Sequence, residues 1–223
     1  MCALARYSGV KMTKSIRKMT DKDKRDIILR DILLPSLHRL YEMDNNNIRF
    51  GVSERNICAR LAHHMENIMR EYNNRNLFEN YYVDVEYNRK NDGTGKFYES
   101  QQKVPFPMVA DIIVHKRNAE HNLMAIEMKR WDNYDKRKED RKRLMSVVSS
   151  PKTEVRDKNC IYDTTLGAFI IYSPKKIKVE FYEKMGENGT YSGYMLFECK
   201  MNETDFLSLE KIDEFWEDYV GYI

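Results

Sequence analysis

Two carboxylates and one lysine stand inside two short apolar runs near the middle of the chain. The first run, residues 108–115, contains Asp111, and the second, residues 123–129, contains Glu127 and Lys129. Ionisable side chains are costly to bury unless they are paired or bind an ion. Carboxylate oxygens suit Mg²⁺ or Mn²⁺ better than Zn²⁺. A divalent ion held in this way beside an ammonium group can polarise a phosphate and position a hydrolytic water.

Strand geometry would bring these groups together. Side chains alternate faces along a strand, so Asp111 shares a face with His115, and Glu127 shares a face with Lys129. The turn at residues 116–122 is short enough for a hairpin, whose pairing would place the two carboxylates side by side. They would then repel, and one would have a raised pKa unless a cation lay between them. Lys129 could orient the water, help to deprotonate it, or stabilise the developing charge, and the sequence leaves these three roles open.

A fourth acidic residue comes from a helix that precedes these strands. The pattern predicts a helix from Glu54 to about Tyr72, with Ser53 as its N-cap. At about 100° per residue, Glu54 projects near the middle of the helix's apolar stripe. The stripe comprises Ile57, Cys58, Leu61, Met65, Ile68 and Met69. Such a glutamate either points into a site or, as a first-turn residue, complements the helix dipole.

The remaining pattern predicts the elements that position these side chains. Further helices are predicted at residues 21–44 (with Pro35 as a kink or a division), 134–149 and 203–219, and a turn at 44–47. Strands are predicted at residues 81–87, 108–115, 123–129, 166–172, 176–182 and 191–198. Both faces of the central strands are largely apolar, so we expect the sheet to be covered on both sides. The pattern indicates one α/β domain with an N-terminal helical extension.

Composition excludes several classes of protein. The 223 residues suffice for a domain with a real core, and 42% hydrophobic content excludes wholesale disorder. The net charge of only +3 means that local clusters, not overall charge, must indicate a nucleic-acid partner. The four cysteines lie far apart without a CxxC pair, so no zinc site is expected. No apolar run approaches membrane-spanning length and no secretory signal is recognisable, so we expect a reducing, cytoplasmic location without a membrane partner.

The expected organisation has three parts. Residues 1–20 carry five basic side chains and no acidic one, which fits either a flexible arm that contacts phosphates or a frayed, partly non-native leader. Residues 21–52 form the helical extension. Residues 53–223 form the main domain.

The sequence resembles the PD-(D/E)xK nuclease superfamily over about residues 53–172. The stretches that carry the resemblance are Glu54 with Arg60-Leu61, then residues 83–89, 110–115 and 126–130. The resemblance is greatest to small uncharacterised bacterial members from restriction and defence neighbourhoods. It implies a restriction-endonuclease-like core, in which a central mixed sheet is flanked by helices.

The resemblance also implies roles for individual residues. Asp111, Glu127 and Glu54 would be ligands of Mg²⁺ or Mn²⁺, and Lys129 would be the catalytic lysine. The implied activity is hydrolysis of nucleic acid, with DNA as the expected polymer. Ala110 departs from the family pattern, which has proline before the aspartate, but proline there is a backbone feature and not a reacting group.

Nucleic-acid contacts are predicted at four further residues. Arg89 follows the first predicted strand and His115 ends the second. Lys138 and Lys142 belong to the densest basic cluster, on the helix at 134–149. Interleaved acids also allow that helix to be a self-paired surface, and a strand-end histidine is more often structural. A catalytically silent subunit of a restriction or defence complex is the alternative function. A homodimer would supply the two active sites that cutting both strands of a duplex usually requires.

Overall fold

The computed structural model describes residues 19–71, 77–87, 97–99, 105–107, 109–117, 121–149, 163–185, 188–201 and 207–217. The helices are α1 (Asp21–Ile28), α2 (Leu34–Arg49), α3 (Glu54–Glu71) and α4 (Arg137–Val148), with a π-helical turn at Leu29–Leu33. The strands are β1 (Tyr82–Val85), β2 (Phe97–Glu99), β3 (Pro105–Pro107), β4 (Ile112–His115), β5 (His121–Arg130), β6 (Asp163–Tyr172), β7 (Lys176–Met185), β8 (Asn188–Met201) and β9 (Leu207–Trp216).

Seven strands form one mixed sheet, which confirms the α/β class. The strand order is β1-β4-β5-β6-β7-β8-β9, and β2 and β3 pair separately. Strands β5 and β6 run parallel, whereas the other neighbours in the sheet are antiparallel. Parallel neighbours need a crossover connection, and α4 lies within the segment that joins β5 to β6. The predicted hairpin is present as β4 and β5, in which Ile112 pairs with Ile126.

Different helices cover the two faces of the sheet, as the sequence predicted. Successive residues of a strand point to opposite sides, so β4 and β5 supply apolar side chains to both faces. One face packs against α1, α2 and α3, with Ile57, Leu61, Ile112, Val114, Ile126 and Met128 among its buried residues. The other packs against α4, with Ala110, Ile113, Ala125, Leu144, Val147 and Val148. Glu127 follows Ile126 in β5 and therefore points toward α4.

The first predicted helix is divided in the structure. The π-helical turn at Leu29–Leu33 separates α1 from α2, and Pro35 follows in the first turn of α2. Proline has no backbone N–H, and its ring clashes with the carbonyl four residues earlier, so a wider turn ahead of it avoids both problems. A division of this helix was one of the two outcomes expected from Pro35, and the structure places it just before Pro35, at Leu29–Leu33.

The predicted turn at residues 44–47 is wrong, because α2 continues to Arg49. Tertiary partners explain why these polar residues remain helical. Asp44 is buried, and its carboxylate accepts a hydrogen bond from Arg60 Nε at 2.8 Å and lies 2.7 Å from His64 Nε2. Both partners belong to α3. The polar segment that the sequence suggested as a turn is therefore held in α2 by contacts with α3.

The predicted C-terminal helix at residues 203–219 is also wrong. Leu207–Trp216 is strand β9, paired antiparallel with β8, and Glu217 follows it. The other residues of the predicted span lie outside the described residues. Leu209 is buried, but Ile212 and Phe215 are 44% and 47% exposed. The apolar residues therefore do not form one buried helical stripe, and main-chain pairing with β8 outweighs the helical spacing.

Other expectations about organisation stay predictions. Residues 1–18 of the basic arm lie outside the described residues. Helices α1 and α2 share one core with α3 and the sheet. The boundary at residue 53 between the helical extension and the main domain stays a prediction from the sequence. None of the helices that the structure describes is long and apolar enough to cross a membrane.

Candidate active site

The four predicted site residues lie close together at one end of β5. Glu54 begins α3, Asp111 directly precedes β4, and Glu127 and Lys129 belong to β5. Lys129 Nζ lies 3.1 Å from Glu54 Oε2. Asp111 Oδ2 accepts a 2.7 Å hydrogen bond from the backbone N–H of Met128. The antiparallel register of β4 and β5 thus places Asp111 beside the Glu127–Met128 peptide.

Glu54 is joined to the end of β5 by three contacts. Besides Lys129, its Oε1 accepts a 2.7 Å hydrogen bond from Asn133 Nδ2 and a weaker 3.5 Å bond from the backbone N–H of Arg130. The glutamate therefore points toward the strand and does more than complement the helix dipole. Glu54 thus lies against Lys129, and its expected role in a metal site stays a prediction.

Glu127 is the most buried acid of the group. Its side chain is 2% exposed, and one carboxylate oxygen accepts a hydrogen bond from Arg143 of α4. Burial first, and then repulsion by Asp111, raise its pKa well above the ordinary value of 4.5, although Arg143 acts in the opposite direction. Burial also raises the pKa of Asp111, against the effects of the Met128 N–H and Lys129. The repulsion expected between adjacent carboxylates is therefore present.

Helix α4 supplies two site residues that the sequence reasoning missed. Asp140 is buried, and its Oδ2 lies 3.7 Å from Lys129 Nζ. Its Oδ1 lies 3.3 Å from Arg143 Nη2, so Arg143 bridges Asp140 and Glu127. A sequence signal existed: Asp140 precedes the buried residue Leu144 by one helical turn and so shares the apolar face of α4.

Lys129 is held as an ammonium group by the acids around it. Burial alone would lower its pKa, but the carboxylates of Asp140 and Glu54 outweigh burial and raise the pKa above 10.5. The complete group comprises four carboxylates and two cations, which leaves a formal excess of two negative charges. A group of this kind attracts cations and activates or orients water.

The oxygen donors fit Mg²⁺ by their chemistry, since hard cations prefer carboxylates. Asp140 Oδ2 is also buried without a hydrogen-bond partner among the described residues. However, no three His, Cys, Asp or Glu side chains in the described part of the chain are grouped closely enough to hold a metal ion. The contacts give the reason, because Lys129 and Arg143 already lie against Glu54 and Glu127.

The four predicted nucleic-acid contacts have different positions. Arg89 lies outside the described residues. His115 is 1% exposed, and its Nε2 lies 2.8 Å from Asp84 Oδ2, which is the position of a structural side chain. Lys138 and Lys142 are exposed on α4. The basic cluster is thus divided, with Arg143 in the site and these lysines on the surface.

No family model, no curated protein and no solved structure matches this chain. The resemblance to PD-(D/E)xK nucleases therefore depends on the residues quoted above. The restriction-endonuclease-like fold and membership of that superfamily stay predictions.

Proposed function

We propose that the protein is a metal-dependent nuclease that hydrolyses phosphodiester bonds of nucleic acid, with DNA as the expected polymer, by direct attack of water. One observation supports this most. Glu54, from a helix that precedes the strands, lies together with Asp111, Glu127 and Lys129 of the β4–β5 hairpin region, in a group with excess negative charge. A divalent cation would balance that excess.

Each residue has a proposed role. Asp111 and Glu127, with Glu54, would hold Mg²⁺ or Mn²⁺, which when bound polarises a phosphate and makes water more acidic. For Glu127 this requires that Arg143 leave the carboxylate oxygen to which it is now bonded. Lys129 is an ammonium beside Glu54 and Asp140. A protonated lysine suits two of its three conceivable roles, orienting the water and stabilising developing charge, better than it suits proton abstraction.

The test is cleavage of plasmid and linear DNA with Mg²⁺ or Mn²⁺. The wild type is expected to cut, and Glu127→Ala and Lys129→Ala to lose activity. Lys178→Ala is a matched control, because Lys178 lies on β7 of the same sheet and is paired with Glu180 at 3.1 Å, outside the site. Activity that survives both site substitutions would contradict the assignment.

A second candidate function has a specific observation in its favour. The Arg143–Glu127 ion pair and the lack of a metal-holding trio among the described residues suit a catalytically silent nucleic-acid-binding or partner subunit. Such a subunit would bind nucleic acid in a salt-sensitive way, and Lys129→Ala would not alter its function. A crystal structure with Mn²⁺ separates the candidates. A nuclease should show an ion bridging Asp111 and Glu127, whereas a silent subunit should keep Arg143 on Glu127.

A further inference from the structure

Three exposed aromatic side chains belong to segments that contact the candidate active site. Phe50 is 82% exposed, Tyr134 is 72% exposed and Trp131 is 38% exposed. We call these three residues the aromatic surface. Tyr134 follows Asn133, which is bonded to Glu54. Exposed apolar groups that adjoin one another and a functional site commonly mark a binding surface.

The segments that carry the aromatic surface are in contact. Phe50 is the C-cap residue that follows α2, and the next residue, Gly51, has φ = +68°. A Cβ atom at Gly51 would lie 2.7 Å from the guanidinium nitrogen Nη1 of Arg130, so this turn lies against the side-chain end of the last residue of β5. Trp131 is the next residue after Arg130, and its backbone N–H donates to Tyr172 O at 2.7 Å. Phe50 and Trp131 thus neighbour, in the sequence, the two residues that make this contact.

Arg137 holds the loop that presents the other two rings. Its guanidinium donates to three backbone carbonyls of residues 130–133, at 2.7 to 2.9 Å, and lies 4.3 Å from the ring centroid of Tyr134. The loop is therefore fixed by hydrogen bonds while Trp131 and Tyr134 remain exposed. Because the loop is already ordered, less conformational entropy would be lost when a ligand binds to the exposed rings of Trp131 and Tyr134. This arrangement favours a binding surface.

Two exposed lysines of α4 follow the aromatic surface in the chain, beyond the exposed acids Asp132 and Asp135. Lys138 and Lys142 are exposed on successive turns of the same side of the helix, and neither forms an ion pair with a described residue. The exposed acid Glu139 lies about 100° around the helix from Lys138. Proteins that bind single strands combine aromatic rings, which stack on bases, with basic side chains, which contact phosphates.

We propose that the aromatic surface, with Lys138 and Lys142, binds single-stranded nucleic acid and delivers it to the candidate active site. Bases in a duplex are stacked on one another and expose only their edges, so a ring can stack only on an unpaired base. The proposal deepens the nuclease function and rests on it for the fate of the bound strand. It predicts a preference for single strands, or for the unpaired parts of branched substrates, over duplex.

Tryptophan fluorescence provides a direct test, since the chain has only two tryptophans, Trp131 and Trp216. Trp216→Phe, which keeps an aromatic ring against Phe181, leaves Trp131 as the single emitter. The titration uses this variant in a Lys129→Ala background with EDTA, so that no strand is cut. Oligo-dT and oligo-U should quench the emission, and a duplex of equal length should not. Trp131→Phe, which retains Trp216, should show no quenching.

The affinity of a labelled single strand gives the second measurement. Phe50→Ala should weaken binding by roughly 5- to 150-fold, which corresponds to about 1–3 kcal/mol per stacked base. Phe215→Ala is the matched control, because Phe215 is an exposed phenylalanine on β9, and it should leave the affinity unchanged.

The outcomes separate this inference from the nuclease proposal. In one outcome, Trp131 is quenched and Phe50→Ala loses affinity, but the wild type does not cleave DNA. This would support single-strand binding by the aromatic surface and contradict the nuclease proposal. Metal-dependent cleavage without quenching of Trp131, and with unchanged affinity in Phe50→Ala, would overturn the surface and leave the nuclease proposal intact. Absence of both binding and quenching would also overturn it, in favour of a protein partner at this surface.

Discussion

Replacing Glu127 with glutamine should make the protein more stable at neutral pH, although it removes a proposed metal ligand. The Glu127 side chain is 2% exposed and is repelled by Asp111 and Asp140. Arg143 acts against this, but the pKa of Glu127 remains well above 4.5. Glutamine has nearly the same shape and can still accept a hydrogen bond from Arg143, but it carries no charge that must be buried.

The direction of the pH dependence follows from that raised pKa. In the unfolded chain the carboxyl group titrates near 4.5, and in the folded protein it titrates higher. The stability that Glu127 contributes is therefore complete below about pH 4.5 and is lost as the pH rises through the folded value. Glutamine avoids this loss. The gain should be small in acid and should rise toward neutral pH by about 1.4 kcal/mol for each pH unit between 4.5 and the folded pKa.

Urea denaturation between about pH 4 and pH 8, with EDTA present, measures this difference. Glu180→Gln is the matched control, because Glu180 is also a buried glutamate of the sheet. Although burial opposes them, Arg141 and Lys178 lower its pKa. Its contribution is present above about pH 4.5 and is lost as the pH falls through the folded value, so Glu180→Gln should destabilise at neutral pH. The reasoning fails if Glu127→Gln is less stable than the wild type at pH 7, or if both glutamines act in the same direction.

Three further predictions concern the metal, two buried tyrosines and one glycine. Mg²⁺ at about 100 times its Kd should stabilise the wild type by about 2.7 kcal/mol in urea denaturation but should not stabilise Asp111→Asn. Tyr41→Phe should cost about 1–2 kcal/mol, because its buried hydroxyl donates a 2.7 Å hydrogen bond to a backbone carbonyl after β6. Tyr172→Phe should be neutral or better, because that hydroxyl is buried without a partner among the described residues. Gly189→Ala should lower stability by about 1–3 kcal/mol, since its Cβ would lie 1.8 Å from Met145 O.

Each of these predictions has a result that would contradict it. Equal stabilisation of Asp111→Asn by Mg²⁺ would mean that the ion binds elsewhere. A Tyr172→Phe variant that loses as much stability as Tyr41→Phe would reveal a bond that the structure does not contain. An unchanged melting temperature in Gly189→Ala would mean that α4 and β8 do not approach each other so closely.

The sequence predicted the elements whose periodicity extends over many residues. Helix α3 and strand β6 agree with their predicted spans to within a few residues, because local apolar patterns and a clear N-terminal cap define them. The order of the central elements and the hairpin that brings Asp111 to Glu127 were also predicted correctly. These features depend on short-range signals.

The features that the sequence did not predict depend on distant partners. Strand β9 forms by pairing with β8, and nothing within its ten residues indicates that edge. The polar end of α2 stays helical because Asp44 is bonded to α3. In the site, the basic cluster at residues 136–143 was predicted to contact phosphates or to pair with its own acids, whereas Arg143 and Asp140 contact Glu127 and Lys129. Such pairings arise only when the chain folds.

Buried acids in the candidate site differ from those elsewhere in the molecule in their basic partners and in the direction of their pKa shifts. Among the described residues, Asp44 and Glu180 are buried acids outside the site, and each contacts two basic side chains. Burial raises their pKa values, but those partners lower them below the ordinary range. Glu127, Asp140 and Asp111 share too few cations, and their pKa values are raised. Incomplete pairing of the site's acids adds no stability to a fold that pairs Asp44 and Glu180 completely. A shortage of cations around buried carboxylates is expected where a bound ligand supplies the missing positive charge.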